Sequence, residues 1–232
     1  MVHGACSMDD INGGIEVEVP ENSPKGTVVA MLTSSDAVDH YTITDTRVTI
    51  VAVFGSEIRI NEEVVDFEDD LQRDTSVEIE ATCTDGSIAR KVFDLWLMDV
   101  DEKPTAIDAA PSPLVVSEEL TSPMEVAVIT VVDADGSRNV GPAQTHALTL
   151  NGTDAAAFYL DGNKLMCYKT LDFEQGISML LVTVTALSQS YVDEFRGVTV
   201  AVAPNTEFTK LLSVTVINVN ESPTFSPASV WV

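Results

Sequence analysis

Apolar and polar residues alternate with a period of two along much of this chain. Ile15, Val17 and Val19 are separated by Glu16 and Glu18, and Val77, Ile79 and Ala81 by Glu78 and Glu80. Leu180, Val182, Val184 and Ala186 alternate with Leu181, Thr183 and Thr185. Leu212, Val214 and Val216 alternate with Ser213 and Thr215. Successive side chains of an extended chain point to opposite faces, so each run predicts a strand with one buried face. Val, Ile and Thr are abundant, and their branched Cβ suits a pleated surface. Asp85-Gly86, Asp135-Gly136 and Asp161-Gly162 supply turn signals between the runs. A short helical turn is expected near residues 154–157, and no long amphipathic helix is expected anywhere. Many short strands with regular breaks predict an all-β chain of antiparallel sandwiches.

Three motifs recur in the same order. Pro20-Glu21-Asn22-Ser23-Pro24 is echoed by Ser117-Glu118-Glu119-Leu120-Thr121-Ser122-Pro123. Val65-Asp66-Phe67-Glu68 recurs as Leu171-Asp172-Phe173-Glu174. Asp99-Val100-Asp101-Glu102-Lys103-Pro104-Thr105 recurs as Asn218-Val219-Asn220-Glu221-Ser222-Pro223-Thr224. Each motif is weak alone, but three in register predict two copies of one domain. The expected division is residues 1–103, residues 104–225, and a tail of 226–232 that begins a following linker or repeat.

Charge narrows the function. The 232 residues include 37 acidic and 12 basic side chains, a net charge of −25. Phosphate neutralisation requires Lys and Arg, so nucleic acid is excluded as a partner and anionic membrane surfaces are disfavoured. Cations and basic protein surfaces are the natural partners. Catalysis finds no foothold: His3, His40 and His146 are scattered, and no GxSxG, P-loop or GxGxxG sequence is present. Carboxylate pairs could suggest glycoside hydrolysis, but a catalytic pair need occur only once, whereas these acidic motifs repeat. Cys6, Cys83 and Cys167 show no zinc-ligand spacing. Asn151-Gly-Thr153 and Asn220-Glu-Ser222 are glycosylation sequons.

The acidic motifs resemble those of the cadherin family, over nearly the whole chain. Family repeats carry a PEN-like glutamate, an LDRE or LDFE motif, a DxNDNxP or DxNExP linker, and DxD in the following repeat. Here these read as Glu21, then Asp66 and Glu68, then Asp99-Val100-Asp101-Glu102, then Asp133-Ala134-Asp135. The resemblance implies two tandem Greek-key β-sandwiches arranged end to end. It implies Ca2+ held by Glu21, Asp66, Glu68, Asp99, the Val100 backbone, Asp101, Glu102, Asp133, Asp135 and Asn139. Glu118, Asp172, Glu174, Asn218, Asn220 and Glu221 then form half of a further site towards the end of the second repeat, where glycosylation at Asn220 would compete with metal. Ligand chemistry agrees, because every side chain in the set offers oxygen, and calcium takes six to eight oxygens. Clustered carboxylates repel unless a cation sits among them. Asp133 and Asp135 fall on the same side of an extended chain.

The sequence also departs from the family pattern. The linker is one residue short, with Lys103 where the longer form has Asn, and Ser188 stands where a late AxD aspartate is expected. The site near Asp133, Asp135 and Asn139 is therefore expected to be the weaker. The first repeat has Ser34-Ser35-Asp36 in place of DxD, as an outermost, N-terminal repeat would. No Trp precedes Trp96, which argues against the strand exchange that some cadherins perform through an early Trp. A Cys6–Cys83 disulfide would resemble the tip repeat of the tip-link protocadherin and of mucin-like protocadherins, which bind a different cadherin. Cys167, alternating with Leu165, is expected to be a buried thiol.

The expected function is calcium-dependent adhesion at the extracellular cell surface. The first repeat of this chain is expected to recognise another cadherin-family ectodomain heterophilically, with the full-length protein anchored in a membrane. A calcium-rigidified mechanical spacer and the accessory domains of a secreted enzyme are the alternatives.

Overall fold

The alternating runs at 77–81, 180–186 and 212–216 each lie inside a longer strand. In this computed structural model the described residues are 6–9, 16–45, 47–69, 71–119, 123–137, 144–193 and 197–221. Asn139, Ser222 of the second sequon, and the segment after Glu221 lie outside them. The backbone divides into two units. The first runs up to Asp101 and takes in Tyr191–Ala203; the second comprises Glu102–Gly136, Ala143–Ser190 and the chain from Pro204.

The first unit contains β1 (Glu16–Pro20), β2 (Val28–Met31), β3 (Val38–Ile43), β4 (Val51–Phe54), β5 (Glu57–Ile60), β6 (Asp74–Cys83) and β7 (Ile88–Met98). One sheet has the order β1-β7-β6-β3 and the other β2-β5-β4. Strand β1 runs parallel to β7, and the remaining pairs are antiparallel. The second unit contains β8 (Ala106–Ala110), β9 (Leu114–Ser117), β10 (Met124–Val132), β11 (His146–Asn151), β12 (Phe158–Asp161), β13 (Lys164–Cys167) and β14 (Met179–Ser188). A small hairpin, β15 (Tyr191–Asp193) with β16 (Val198–Val200), precedes the last strand, β17 (Glu207–Ile217). The second unit's sheets are β9-β17-β14-β11 and β8-β10-β13-β12. Strand for strand, β9, β10, β11, β12, β13, β14 and β17 repeat β1 to β7, including the one parallel pair, β9 with β17. The fold is all-β, two sandwiches in tandem.

Each sandwich has its own core. In β6, Val77, Ile79 and Ala81 are inaccessible, and β7 adds Phe93, Leu95 and Leu97. In β14, Val182, Val184 and Ala186 are inaccessible and lie beside Leu212, Val214 and Val216 of β17 in the same sheet. Burying one large aliphatic or aromatic side chain contributes about 1.5–3 kcal/mol, so these rows, clustered with Ile58 and Ile60 of the other sheet in the first unit and with Ile129 and Leu165 in the second, hold the layers together. Cys167 is a buried thiol of the second core. Burial pushes its pKa up, which leaves it unreactive.

The turns follow the dipeptides. Gly86 (φ 83°) and Gly162 (φ 61°) adopt left-handed backbone that other residues rarely enter. Asp135-Gly136 behaves differently: it opens a 3-10 turn, Asp135–Ser137, and the aspartate is fully buried. The second 3-10 turn, Ala155–Ala157, lies within the short helical segment expected from sequence. Cys6 and Cys83 are joined by a disulfide, with Cα atoms 5.8 Å apart, tying the segment before β1 to the end of β6.

Candidate metal centres

Glu21 follows β1 directly, and its side chain turns inward to 3% exposure. A buried carboxylate needs donors, because leaving it unsatisfied is costly. Here the backbone supplies them. The N–H of Phe67 donates to Oε2 at 2.8 Å, and the N–H of Val100 donates to Oε1 at 2.7 Å. This glutamate therefore ties the segment after Val65 to the segment after β7. Carboxylate oxygens of Glu21, Glu68 and Asp99 lie within 4.8 Å of one another. Asp66 Oδ1 accepts the N–H of Glu68 at 2.8 Å and shapes the turn that presents Glu68.

The second unit repeats this construction. Glu118 follows β9 and is 3% exposed. Its Oε2 accepts the N–H of Phe173 at 2.7 Å, and its Oε1 accepts the N–H of Val219. The N–H of Val219, then that of Phe173, holds the Glu118 carboxyl below the usual carboxylate range. Oxygens of Glu118, Asp172 and Glu174 lie within 4.8 Å of one another. Asn218 Nδ2 donates to Glu174 Oε1 at 2.8 Å. The charge of Glu174 first, then burial and the charges of Glu118, Asp172 and Glu119, raise the Glu221 carboxyl. Asn220 and Asn151 are exposed.

The opposite end of the second unit gathers the DxD pair. Asp135 Oδ2 accepts the N–H of Glu102 at 2.9 Å, and Asp133 Oδ1 accepts the N–H of Asp135 at 3.2 Å. His146 Nε2 lies 2.8 Å from Asp133 Oδ2, with side chains 7% and 0% exposed. Burial raises the Asp133 carboxyl, and the hydrogen bond from His146 opposes the rise. Ser188 is the cross-strand partner of His146 and is 4% exposed.

Two further contacts involve residues that sequence reasoning did not single out. The Tyr191 hydroxyl donates to Asp99 Oδ1 at 2.7 Å, and the N–H of Ala203 donates to Asp101 Oδ2 at 3.0 Å. A signal for them exists in the repeat itself. Between β6 and β7 the chain spends residues 84–87, but between β14 and β17 it spends residues 189–206.

The donor sets are oxygen-only around Glu21 and Glu118, which suits a hard cation such as calcium and not zinc. Three carboxylates within one ion's reach fit that cation's charge.

No protein-family model matches the chain, and no curated protein sequence does. Solved structures match clearly. Human protocadherin-24 EC1-2 superposes with a TM-score of 0.70 at 15% identity, covering 94% of this chain and 100% of that one. Protocadherin gamma B2 extracellular cadherin domains 3-6 give 0.66 at 19% identity, covering 89% and 46%. The fold is that of tandem cadherin repeats. Drosophila N-cadherin EC1-4 matches at 0.62 and 18% identity, covering 88% and 47%. The chain spans between 31% and 48% of the first protocadherin chains it matches. No helix among the described residues is long and apolar enough to cross a membrane.

Proposed function

We propose that these two cadherin-like repeats form a calcium-dependent adhesion fragment of an extracellular protein, without enzymatic activity of their own. One observation carries the reading. Each repeat buries a glutamate, Glu21 or Glu118, whose two oxygens take backbone N–H groups from an Asp-Phe-Glu turn and from the chain after the last strand. Each then crowds two more carboxylates against it. A fold that only needed solubility would spread those charges over its surface. Gathering them twice at the same place in the repeat is intelligible if a cation neutralises them. Calcium, when bound, supplies the positive charge and the six to eight coordination positions that these oxygens fill.

Under this reading Glu21, Glu68 and Asp99 ligate calcium in the first unit, with Asp101 beside them. Glu102, Asp133 and Asp135 contribute at the start of the second unit, and Glu118, Asp172 and Glu174 near its end. The Cys6–Cys83 disulfide suits an oxidising compartment, which supports an extracellular location. A cell-surface anchor belongs to the longer protein. The partner is another cadherin-type ectodomain, recognised through the first repeat. A net charge of −25 disfavours close approach of two identical copies.

Titration calorimetry tests the calcium reading: calcium should bind with a Kd of about 10⁻⁴–10⁻³ M, as in other extracellular modules. Absence of binding at millimolar calcium would sink it. Beads coated with the fragment test the partner. In calcium they should not clump alone, but should clump when mixed with beads bearing the right ectodomain. Strong clumping of one bead population would overturn the heterophilic part.

A further inference from the structure

Among the described residues, the β15–β16 hairpin has no counterpart in the first repeat. Where the first repeat turns from β6 to β7 through residues 84–87, the second inserts residues 189–206 between β14 and β17. The segment Tyr191–Ala203 belongs to the first compact unit, whose acidic segment includes Asp99 and Asp101. Its two ends each deliver one donor. At the start, the Tyr191 hydroxyl reaches Asp99 Oδ1 at 2.7 Å across 92 residues of sequence. At the end, the N–H of Ala203 reaches Asp101 Oδ2 at 3.0 Å across 102 residues. Tyr191 pairs with Val200 across the hairpin, and both are 8% exposed, so the phenol is held by packing rather than left to rotate in solvent.

Asp99 is one of the three residues whose carboxylates gather with Glu21 and Glu68. A hydroxyl and an amide are neutral donors. They fix the orientation of a carboxylate without cancelling its charge, and each carboxylate oxygen has two lone pairs, so one that accepts such a bond can still meet a cation. Groups that orient ligands in this way commonly govern metal affinity by ten- to a hundredfold. We infer that the β15–β16 hairpin is a second layer of the first unit's calcium site. Tyr191 positions Asp99, and the Ala203 backbone positions Asp101, before the cation arrives. This rests on the calcium reading of those aspartates. The occupant is a divalent cation of calcium's class, and the hairpin itself ligates nothing.

The test uses the whole fragment and calcium alone. Tyr191→Phe removes a single oxygen. It should raise the calcium concentration that gives half of the calcium-dependent melting shift by about tenfold. The melting temperature in chelator should change little. Replacing residues 189–206 by the four-residue turn of the first repeat removes both donors and should raise that midpoint by about a hundredfold. In an Asp99→Asn background the effect of Tyr191→Phe should shrink, because its acceptor is altered. If that graft does not fold, Tyr191→Phe and the double variant still decide the matter. Equal or tighter calcium binding by Tyr191→Phe overturns the inference and leaves the calcium reading standing. A wild-type fragment that does not respond to calcium overturns the calcium reading itself.

Discussion

Glu21 accepts the backbone N–H of Val100 at 2.7 Å, although 79 residues separate them. The bond shows how motifs scattered along a repeat come to one place. The strand β7 delivers Val100 beside the end of β1, with which it pairs in parallel, and Glu21 closes the junction. Glu118 and Val219 repeat the arrangement after β9 and β17.

Glu21→Gln keeps the shape but turns one acceptor into a donor facing an N–H. The first repeat should lose about 1–3 kcal/mol, visible as an earlier denaturant midpoint in chelator. An unchanged midpoint would mean that the two backbone bonds contribute nothing to the fold.

The pH response of Glu118 has a definite sign. Its carboxyl is held low by the N–H groups of Val219 and Phe173. Its stabilisation is therefore present above the ordinary carboxylate value and is lost as pH falls through the lower, folded-state value. Asp133 and Glu221 are shifted upward, so their contributions run the opposite way, present at low pH and lost as pH rises. Comparing wild type with Glu118→Gln cancels the Asp133 contribution; because the Glu118 charge is part of what raises Glu221, both proteins carry Glu221→Gln. Melting in chelator, from about pH 6 to about pH 2, should show a gap between the two proteins that narrows with acid. A gap of constant size would contradict the assignment.

The strand pattern was legible because burial on one face leaves a period of two in the residues themselves. Val77, Ile79 and Ala81 announce β6, and Leu180 to Ala186 announce β14. The acidic motifs were legible as an ordered set, but not the means of their convergence. The groups that hold Glu21 are backbone N–H groups, which every residue type except proline supplies. The β15–β16 hairpin escaped because three-residue strands are too short to show a period. Tyr191 reaches Asp99 across 92 residues, which no local pattern records. Asp135-Gly136 reads as a turn signal, which does not tell that the aspartate is fully buried and accepts the N–H of Glu102.

The Cys6–Cys83 bridge closes a sequence separation of 77 residues. Replacing both cysteines by Ala should destabilise the first repeat by about 2–4 kcal/mol, mainly by freeing the unfolded chain. Denaturant unfolding without reductant measures it, and equal stability of the two proteins would show that the bridge constrains little.

Phe93 is 1% exposed and sits in the first core. Phe93→Ala should cost about 3–5 kcal/mol. The second repeat has a separate core, so its own unfolding step should keep its midpoint. A matched loss in both steps would show that the two cores do not unfold independently.

The most direct measurement is thermal unfolding of the fragment in about 10 mM calcium and in chelator. With a Kd of about 10⁻⁴ M, one site at a hundred times Kd adds about 2.7 kcal/mol. For a repeat of this size that raises the melting temperature by roughly 10–20 °C. Glu68→Ala and Asp99→Ala should each remove most of the first repeat's shift. Superimposable melts in calcium and chelator would contradict calcium binding by these repeats.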